Sequence, residues 1–516
     1  MIARPNVLIV MSDEQSWDTL GCNGNRAAST PHLDALAATA TAFDHCYSSF
    51  PLCCPARTSL WTGLMPRHHG VLGNWRPIEP HLREAGLASA FSAGGYHTIY
   101  CGKWHVPGTT PRRMGWADAS AIPEVLEGRE RGRYIQAHRD HLAAHGYRLD
   151  PRSLENLTVA EAQALGSRPY ATAEVAVEDQ LEFWQTSRFL EALDRRPRDR
   201  PWLAVCSFNA PHFPLVAPAP YDRCIDRSRV VLPPSWATGT RTTPREVRES
   251  HFARDFANLT EKDWVEAIAH YLGLCAVVDE QVGCVLAYLR AQGEWERTVV
   301  VFTSDHGDLM GAHRLMEKGH QMHYEEDLRI PLLVRIPGGR AGRVDGLVSI
   351  CDLAPSLMEL AGVQGDAAMD GRSFAGLING ESTPPTRPHV IAESYLADGK
   401  PGGHGDPFRA ADWTYPRDSI NLSIRTPRVR YVFRSHDEDE LYDLVADPHE
   451  QVNQAAAPAF AEVRRECRRT LAQEIDDVFP NVAARLRGDP GPAAAPASNP
   501  GIAHDARPAR GREDRS

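Results

Sequence analysis

At 516 residues the chain is long enough to bury a large core, and one large domain with a smaller companion is its natural division. Its 42% hydrophobic and 24% charged residues are ordinary for a globular protein. A formal net charge of −11, with no basic run before the last few residues, disfavours nucleic acid or an acidic membrane surface as partner.

In chain order, the first element is the all-apolar run 7–11, which stops at Ser12-Asp13-Glu14. It is too short for a signal peptide, and no segment reads as a membrane span. A helix is expected over 31–40. Residues 51–63 read Pro-Leu-Cys-Cys-Pro-Ala-Arg-Thr-Ser-Leu-Trp-Thr-Gly. Pro55 suits the first turn of a helix, because its missing N–H would be unpaired there anyway. Cys53 then sits just before a helix N-terminus, where N–H groups and the dipole favour an anion, and Arg57 lies one turn in.

Another apolar strand, 97–101, ends at Gly102-Lys103-Trp104-His105. Residues 108–175 are polar and poorly patterned, and read as an inserted excursion near a site mouth. A helix over 181–194 precedes strand 202–206, which leads to Asn209-Ala210-Pro211-His212. A long helix over 261–292 carries Trp264, Ile268, Tyr271, Leu272, Cys275, Val278 and Val282 on one face. Strand 298–302 ends at Ser304-Asp305-His306-Gly307.

Beyond a helix that closes at Gly362, the pattern changes to short strands at 390–393, 430–433 and 441–444, then a helix over 458–475. Strands alternating with helices imply an α/β fold. Residues 1–380 form its large, mixed, mostly parallel sheet flanked by helices. Residues 381–482 form a smaller C-terminal α+β domain, and 483–516 a Pro-, Ala-, Gly- and Arg-rich tail expected to be disordered. No internal repeat is seen. In such sheets, sites form beyond the carboxyl ends of the strands, and four strands here carry Asp, Lys, His and Asp at that end. Eleven scattered cysteines, with only Cys53 and Cys54 close together, are no disulfide framework and suit a reducing cytoplasm.

Cys53-x-Pro55-x-Arg57, with Thr58-Ser59 and Thr62-Gly63 behind it, resembles the C-x-P-x-R signature of the sulfatase family. From Cys54 neither Pro nor Arg falls in register. Five further blocks match in order. They are Asn6 to Glu14, Gly102-Lys103-Trp104-His105, Pro211-His212, Thr303 to Asp308, and Glu317-Lys318-Gly319 with Arg329-Ile330-Pro331-Leu332. The later Glu440-Leu441-Tyr442-Asp443-Leu444 and Asp447-Pro448 extend the likeness, so it runs from residue 5 to about 480.

The resemblance implies an alkaline-phosphatase-like fold, and a Cys53 converted to formylglycine by a maturation enzyme. It also implies a divalent metal held by Asp13, Glu14, the modified Cys53, Asp305 and His306. An oxygen-rich site suits Ca²⁺, with Mn²⁺ or Mg²⁺ as alternatives. Two positions depart from the family pattern: Glu14 stands where Asp is usual, and His306 where Asn is commoner. The implied roles are positive charge from Lys103, Lys318 and Arg57, proton donation by His212 or Lys318, and a base at His105. The substrate class is a small sulfate ester, aryl- or choline-sulfate-like. A phosphonate monoester or phosphodiester is the alternative on the same scaffold, which Lys103 with His105 disfavours. No nucleic acid or membrane partner is expected, and a homo-oligomer is left open. His68, His69, Asn74, His320 and His323 are secondary candidates whose plainer reading is structural.

Overall fold

The computed structural model describes residues 4–119, 133–150, 157–166, 168–365, 368–379, 387–395 and 419–488. The domain junction expected near 381, part of the 108–175 excursion and residues 489–516 of the expected tail lie outside the described residues; 483–487, expected to be disordered with that tail, instead belong to the Pro480–Arg487 helix, which buries Ala483 and Leu486.

A mixed eight-stranded sheet forms the centre. Its strands are β1 (Asn6–Ser12), β2 (Thr41–Tyr47), β3 (His97–Gly102), β5 (Trp202–Ser207), β7 (Thr298–Ser304), β8 (Arg329–Ile330), β9 (Leu332–Arg335) and β10 (Gly342–Ser349). The order is β10-β2-β9-β7-β1-β5-β3, with β8 beside β2. The stretch β7-β1-β5-β3 is parallel throughout, whereas β9 runs antiparallel to both its neighbours. A separate two-stranded ribbon pairs β4 (Tyr170–Thr172) with β6 (Leu215–Ala217).

The all-apolar strands are explained by burial on both faces. Leu8 and Val10 of β1 enter one core, while Val7, Ile9 and Met11 enter the other. Each such side chain contributes roughly 1.5–3 kcal/mol through burial. The first core lies under the Glu261–Ala291 helix, through Trp264, Tyr271, Cys275, Val278, Val282 and Leu289. The second lies under the Cys53–Thr62 and Leu353–Ala361 helices, through Ala56, Leu60, Trp61 and Leu357. A capping box starts the long helix. Thr260 Oγ1 accepts from Asp263 N–H at 3.2 Å, and the Asp263 carboxylate accepts from Thr260 N–H at 3.0 Å.

By length and composition that helix is able to cross a membrane, which corrects the expectation that no segment reaches such a length. Its most apolar window has a mean hydropathy of 1.6 and is 72% buried inside the protein, so its apolar surface is spent on the core.

The C-terminal sheet is antiparallel, in the order β11 (Val390–Tyr395), β12 (Ile420–Arg425), β13 (Val429–Arg434), β14 (Glu440–Asp443). The Ala461–Ile475 helix covers it with Cys467, Leu471, Ala472 and Ile475. Three of its side chains grip the segment after Lys318. Ser394 Oγ and Asn421 Nδ2 donate to His320 O at 2.5 and 3.2 Å, and Arg434 donates to Gln321 O at 2.9 Å.

Candidate functional site

Register alone gathers the polar ends of the parallel strands. Ser12 lies opposite Ser304 across β1 and β7, and Ser207 of β5 lies opposite both Met11 and Gly102. The next residues, Asp13, Lys103 and Asp305, therefore emerge side by side at the carboxyl edge, with His212 on the loop beyond β5. The Cys53–Thr62 helix points its N-terminus at the same place, and all ten of its residues are buried. Cys53 is its first residue rather than the one before it. Asn74 Oδ1 accepts from Cys54 N–H at 3.1 Å, which satisfies one of the orphaned donors of the first turn.

Arg57 organises the carboxylates. Its Nε donates to Asp305 Oδ2 at 2.7 Å and one terminal nitrogen to Asp13 Oδ2 at 2.9 Å. The other terminal nitrogen donates to Lys103 O and Ser207 Oγ, each at 2.8 Å. Asp305 Oδ1 accepts from the Glu14 and His306 N–H groups at 3.1 and 2.9 Å. Asp13 Oδ1 lies 3.7 Å from Cys53 Sγ and 4.0 Å from His306 Nε2, which is also 3.8 Å from Asp305 Oδ1. His306 Nδ1 donates to Gly307 O at 2.9 Å, so Nε2 keeps its lone pair, 3.1 Å from Cys53 Sγ.

These donors fit a cation. Ligand atoms of Asp13, Cys53, Asp305 and His306 all lie within 4.8 Å of one another, and all four residues are buried. In a matured protein, an oxygen on the same Cβ would stand where Sγ stands here. Glu14 is set apart from this group. Its φ of 66° turns it away, and Lys318 Nζ donates to its Oε2 at 2.5 Å. Its Oε1 is buried without a hydrogen-bond partner, and it joins Asp13 and His212 in a second set within the same distance limit.

Positive charge surrounds Cys53. Lys103 Nζ contacts Asp13 Oδ2 and sits 4.0 Å from Cys53 Sγ. Burial opposes the charges of Lys103 and Lys318, but Asp13 with Cys53 and Asp305 together outweigh it for the first and Glu14 with Glu317 for the second, so both ammonium pKa values are raised. Lys318 also donates to His212 Nε2 at 3.0 Å, while His212 Nδ1 donates to Phe213 O at 2.5 Å. Burial, then Lys103 and Lys318, hold His212 well below the usual imidazole range, so it stays neutral. Burial and Asp13 push the Cys53 thiol up to about 12. His105 is half-buried at φ 54°, two residues beyond Lys103.

The secondary candidates fall into structural places. His68 pairs with Asp370 and Asp477. His69 meets Ser59 Oγ at 3.0 Å, and His323 meets Ser394 Oγ at 2.9 Å. His320 packs against Phe50 and Trp75. Burial lowers His69, His320 and His323 to about 3. The unfolded chain takes up protons at these positions below about pH 6.5, whereas the folded chain resists until about pH 3. Stability is therefore full above pH 6.5 and is lost as pH falls, by up to ~1.4 kcal/mol per pH unit for each histidine. Thermal unfolding between pH 7 and 5 should show this slope, and His323→Gln should flatten it; an unchanged slope would refute the assignment.

Two supporting residues escaped the sequence reading. Ser207 anchors Arg57 across 150 positions, and Tyr271 donates to Glu14 O at 2.7 Å while accepting from Ser16 N–H at 3.0 Å. Tyr271 reads along the chain as one more apolar position of its helix, and Ser207 as the polar end of a strand.

A family model described as Sulfatase matches residues 5–363. The chain is 28% identical over 489 residues to the uncharacterized sulfatase YidJ of Escherichia coli (strain K12), covering 92% of this chain and 88% of that protein. It is 28% identical over 495 residues to an arylsulfatase of Clostridium perfringens (strain 13 / Type A), covering 92% and 95%. Among solved structures, the phosphonate monoester hydrolase SpPMH from Silicibacter pomeroyi superposes with a TM-score of 0.75 at 25% identity, covering 92% of this chain and 96% of that one.

Proposed function

Because the chain belongs to the sulfatase family, we propose that it hydrolyses a small sulfate monoester, aryl- or choline-sulfate-like, using formylglycine made from Cys53 and one divalent cation, Ca²⁺ first among them. One observation carries this reading: side chain 53 stands at a buried helix N-terminus within ligand distance of Asp13, Asp305 and His306, with Lys103 and Lys318 beside the cluster. When present, the oxidised side chain supplies the attacking oxygen, and the cation supplies positive charge to it and to the sulfate oxygens.

The remaining work belongs to the chain's own residues. Arg57 contacts Asp13 and Asp305, Lys103 contacts Asp13, and Lys318 contacts Glu14 and Glu317, while burial, opposed by Lys318, holds the Glu14 carboxyl pKa well above the usual range. A bound divalent cation would add positive charge to the site, which suits an anionic ester. An unmodified thiol here keeps its proton at neutral pH, because burial and Asp13 both oppose the thiolate. That is a physical reason for oxidising the position, and the proposal includes a maturation enzyme that does so.

Of the two proton-donor candidates, Lys318 holds the proton. His212 accepts from it, donates through its other nitrogen to Phe213 O, and so orients the ammonium group. His105, on the loop that carries Lys103, is assigned the base that restores side chain 53 after turnover.

A second reading, phosphonate monoester or phosphodiester hydrolysis, is supported by the likeness to SpPMH. Side-by-side kinetics of the matured protein on 4-nitrophenyl sulfate, choline sulfate and a 4-nitrophenyl phosphonate separate the two. A higher kcat/KM for one of the sulfates is expected; phosphonate turnover ahead by orders of magnitude would make the second reading the correct one.

A further inference from the structure

We propose a second metal site, for Zn²⁺, formed by His141, His145 and Asp179. The helix Arg133–Ala144 carries His141 in its last turn, and His145 N–H donates to His141 O at 3.1 Å, so the turn continues through His145. One turn apart on the same side, the two imidazoles lie with ring centroids 4.3 Å from each other. Asp179 comes from the segment just ahead of the Leu181–Arg195 helix. One ligand atom from each residue lies within 4.8 Å of the others.

The distances bracket what zinc requires. Asp179 Oδ1 is 2.8 Å from His141 Nε2 and 3.9 Å from His145 Nε2. Zn–N and Zn–O bonds of about 2.0–2.1 Å at tetrahedral angles put neighbouring ligand atoms about 3.3 Å apart. Shifts of roughly half an ångström at either end then suffice, the ion taking the place of the His141–Asp179 hydrogen bond.

The surrounding groups already orient the ligands. His145 Nδ1 donates to His141 O at 2.8 Å, leaving Nε2 as the free lone pair. Tyr147 donates its hydroxyl to Asp179 Oδ2 at 3.3 Å, and His138 Nε2 donates to Asp179 O at 2.8 Å. Trp184 packs against the His138 and His141 rings. The His145 side chain is 50% exposed, so an ion can enter from solvent, and three protein ligands leave a fourth position for water. Two imidazoles with one carboxylate favour zinc over calcium or magnesium, in contrast to the oxygen-rich set around Cys53.

The site would tie the excursion to the site scaffold. From the Leu181–Arg195 helix, Glu182 accepts from Ala210 N–H at 2.9 Å and Gln185 donates to Ser207 O at 2.9 Å, on the stretch that leads to His212.

The test is equilibrium dialysis of the full chain against Zn²⁺ alone, comparing wild type with His141→Gln/His145→Gln and with the single His145→Gln, whose position is exposed. Wild type should bind one zinc equivalent more than the double variant, and the single variant should weaken that equivalent at least ~10-fold. Circular dichroism checks that both variants stay folded, and Co²⁺ should give the wild type a tetrahedral visible spectrum that the double variant lacks. Equal zinc stoichiometry and affinity in all three proteins would overturn the proposal and leave His141 and Asp179 as a plain ion pair.

Discussion

Replacing Lys318 with alanine is expected to lower kcat for phenyl sulfate by roughly 10²–10⁴-fold, the usual worth of a positioned general acid. The loss should shrink when the leaving group is 4-nitrophenol, because a good leaving group departs without a proton. This dependence separates proton donation from simple charge neutralisation, which would penalise both esters alike. The structure sets up the expectation in two ways. The ammonium is held charged by Glu14 and Glu317, and its donor direction is fixed by His212 at 3.0 Å. His212→Gln should produce a smaller version of the same pattern, since it removes the orienting partner and keeps the acid. Equal losses on phenyl and 4-nitrophenyl sulfate would show that Lys318 supplies charge alone.

Arg57→Met is expected to destabilise the chelator-treated protein by about 3–5 kcal/mol, because it takes the guanidinium from buried Asp305 and leaves buried Asp13 with Lys103 alone. Asp13 and Asp305 are fully buried, and Arg57 satisfies an Oδ2 on each while bridging to Lys103 O and Ser207 Oγ. Arg57→Lys should fail nearly as badly, because one ammonium cannot span four acceptors in the fork geometry of a guanidinium. Chemical denaturation reads the effect as a lower midpoint. A variant as stable as the wild type would mean that Asp13 and Asp305 are not charged together in the metal-free protein.

What could be read along the chain is what local periodicity encodes. Runs 7–11, 97–101, 202–206 and 298–302 are apolar at every position because both faces of those strands are covered, so they stand out without tertiary knowledge. The helix expected over 261–292 is observed as Glu261–Ala291, with Thr260 and Asp263 marking its start. Strand β2 was missed because Asp44 and His45 interrupt its apolar pattern where they are only half-buried. In the excursion, Thr158 and Glu161 form a capping box for the Val159–Leu165 helix, a local signal that a polar composition hid.

The candidate site divides along the same line. Asp13, Lys103 and Asp305 are legible as strand-end residues, and the sheet register makes them neighbours. The turning of Glu14 toward Lys318 depends on a contact across 304 positions and a left-handed backbone angle, neither of which leaves a mark in local sequence. Whether Glu14, which departs from the family's Asp, serves as a ligand is therefore beyond what periodicity can decide. The grip of β11, β12 and β13 on the segment after Lys318 is equally long-range.

The most direct measurement is the mass of the peptide carrying position 53, taken from protein made alongside a formylglycine-generating enzyme and shown to cleave an aryl sulfate. An aldehyde in place of the thiol, with activity rising in step with the converted fraction, is the predicted result. Full activity from protein in which that residue is still a cysteine would contradict it.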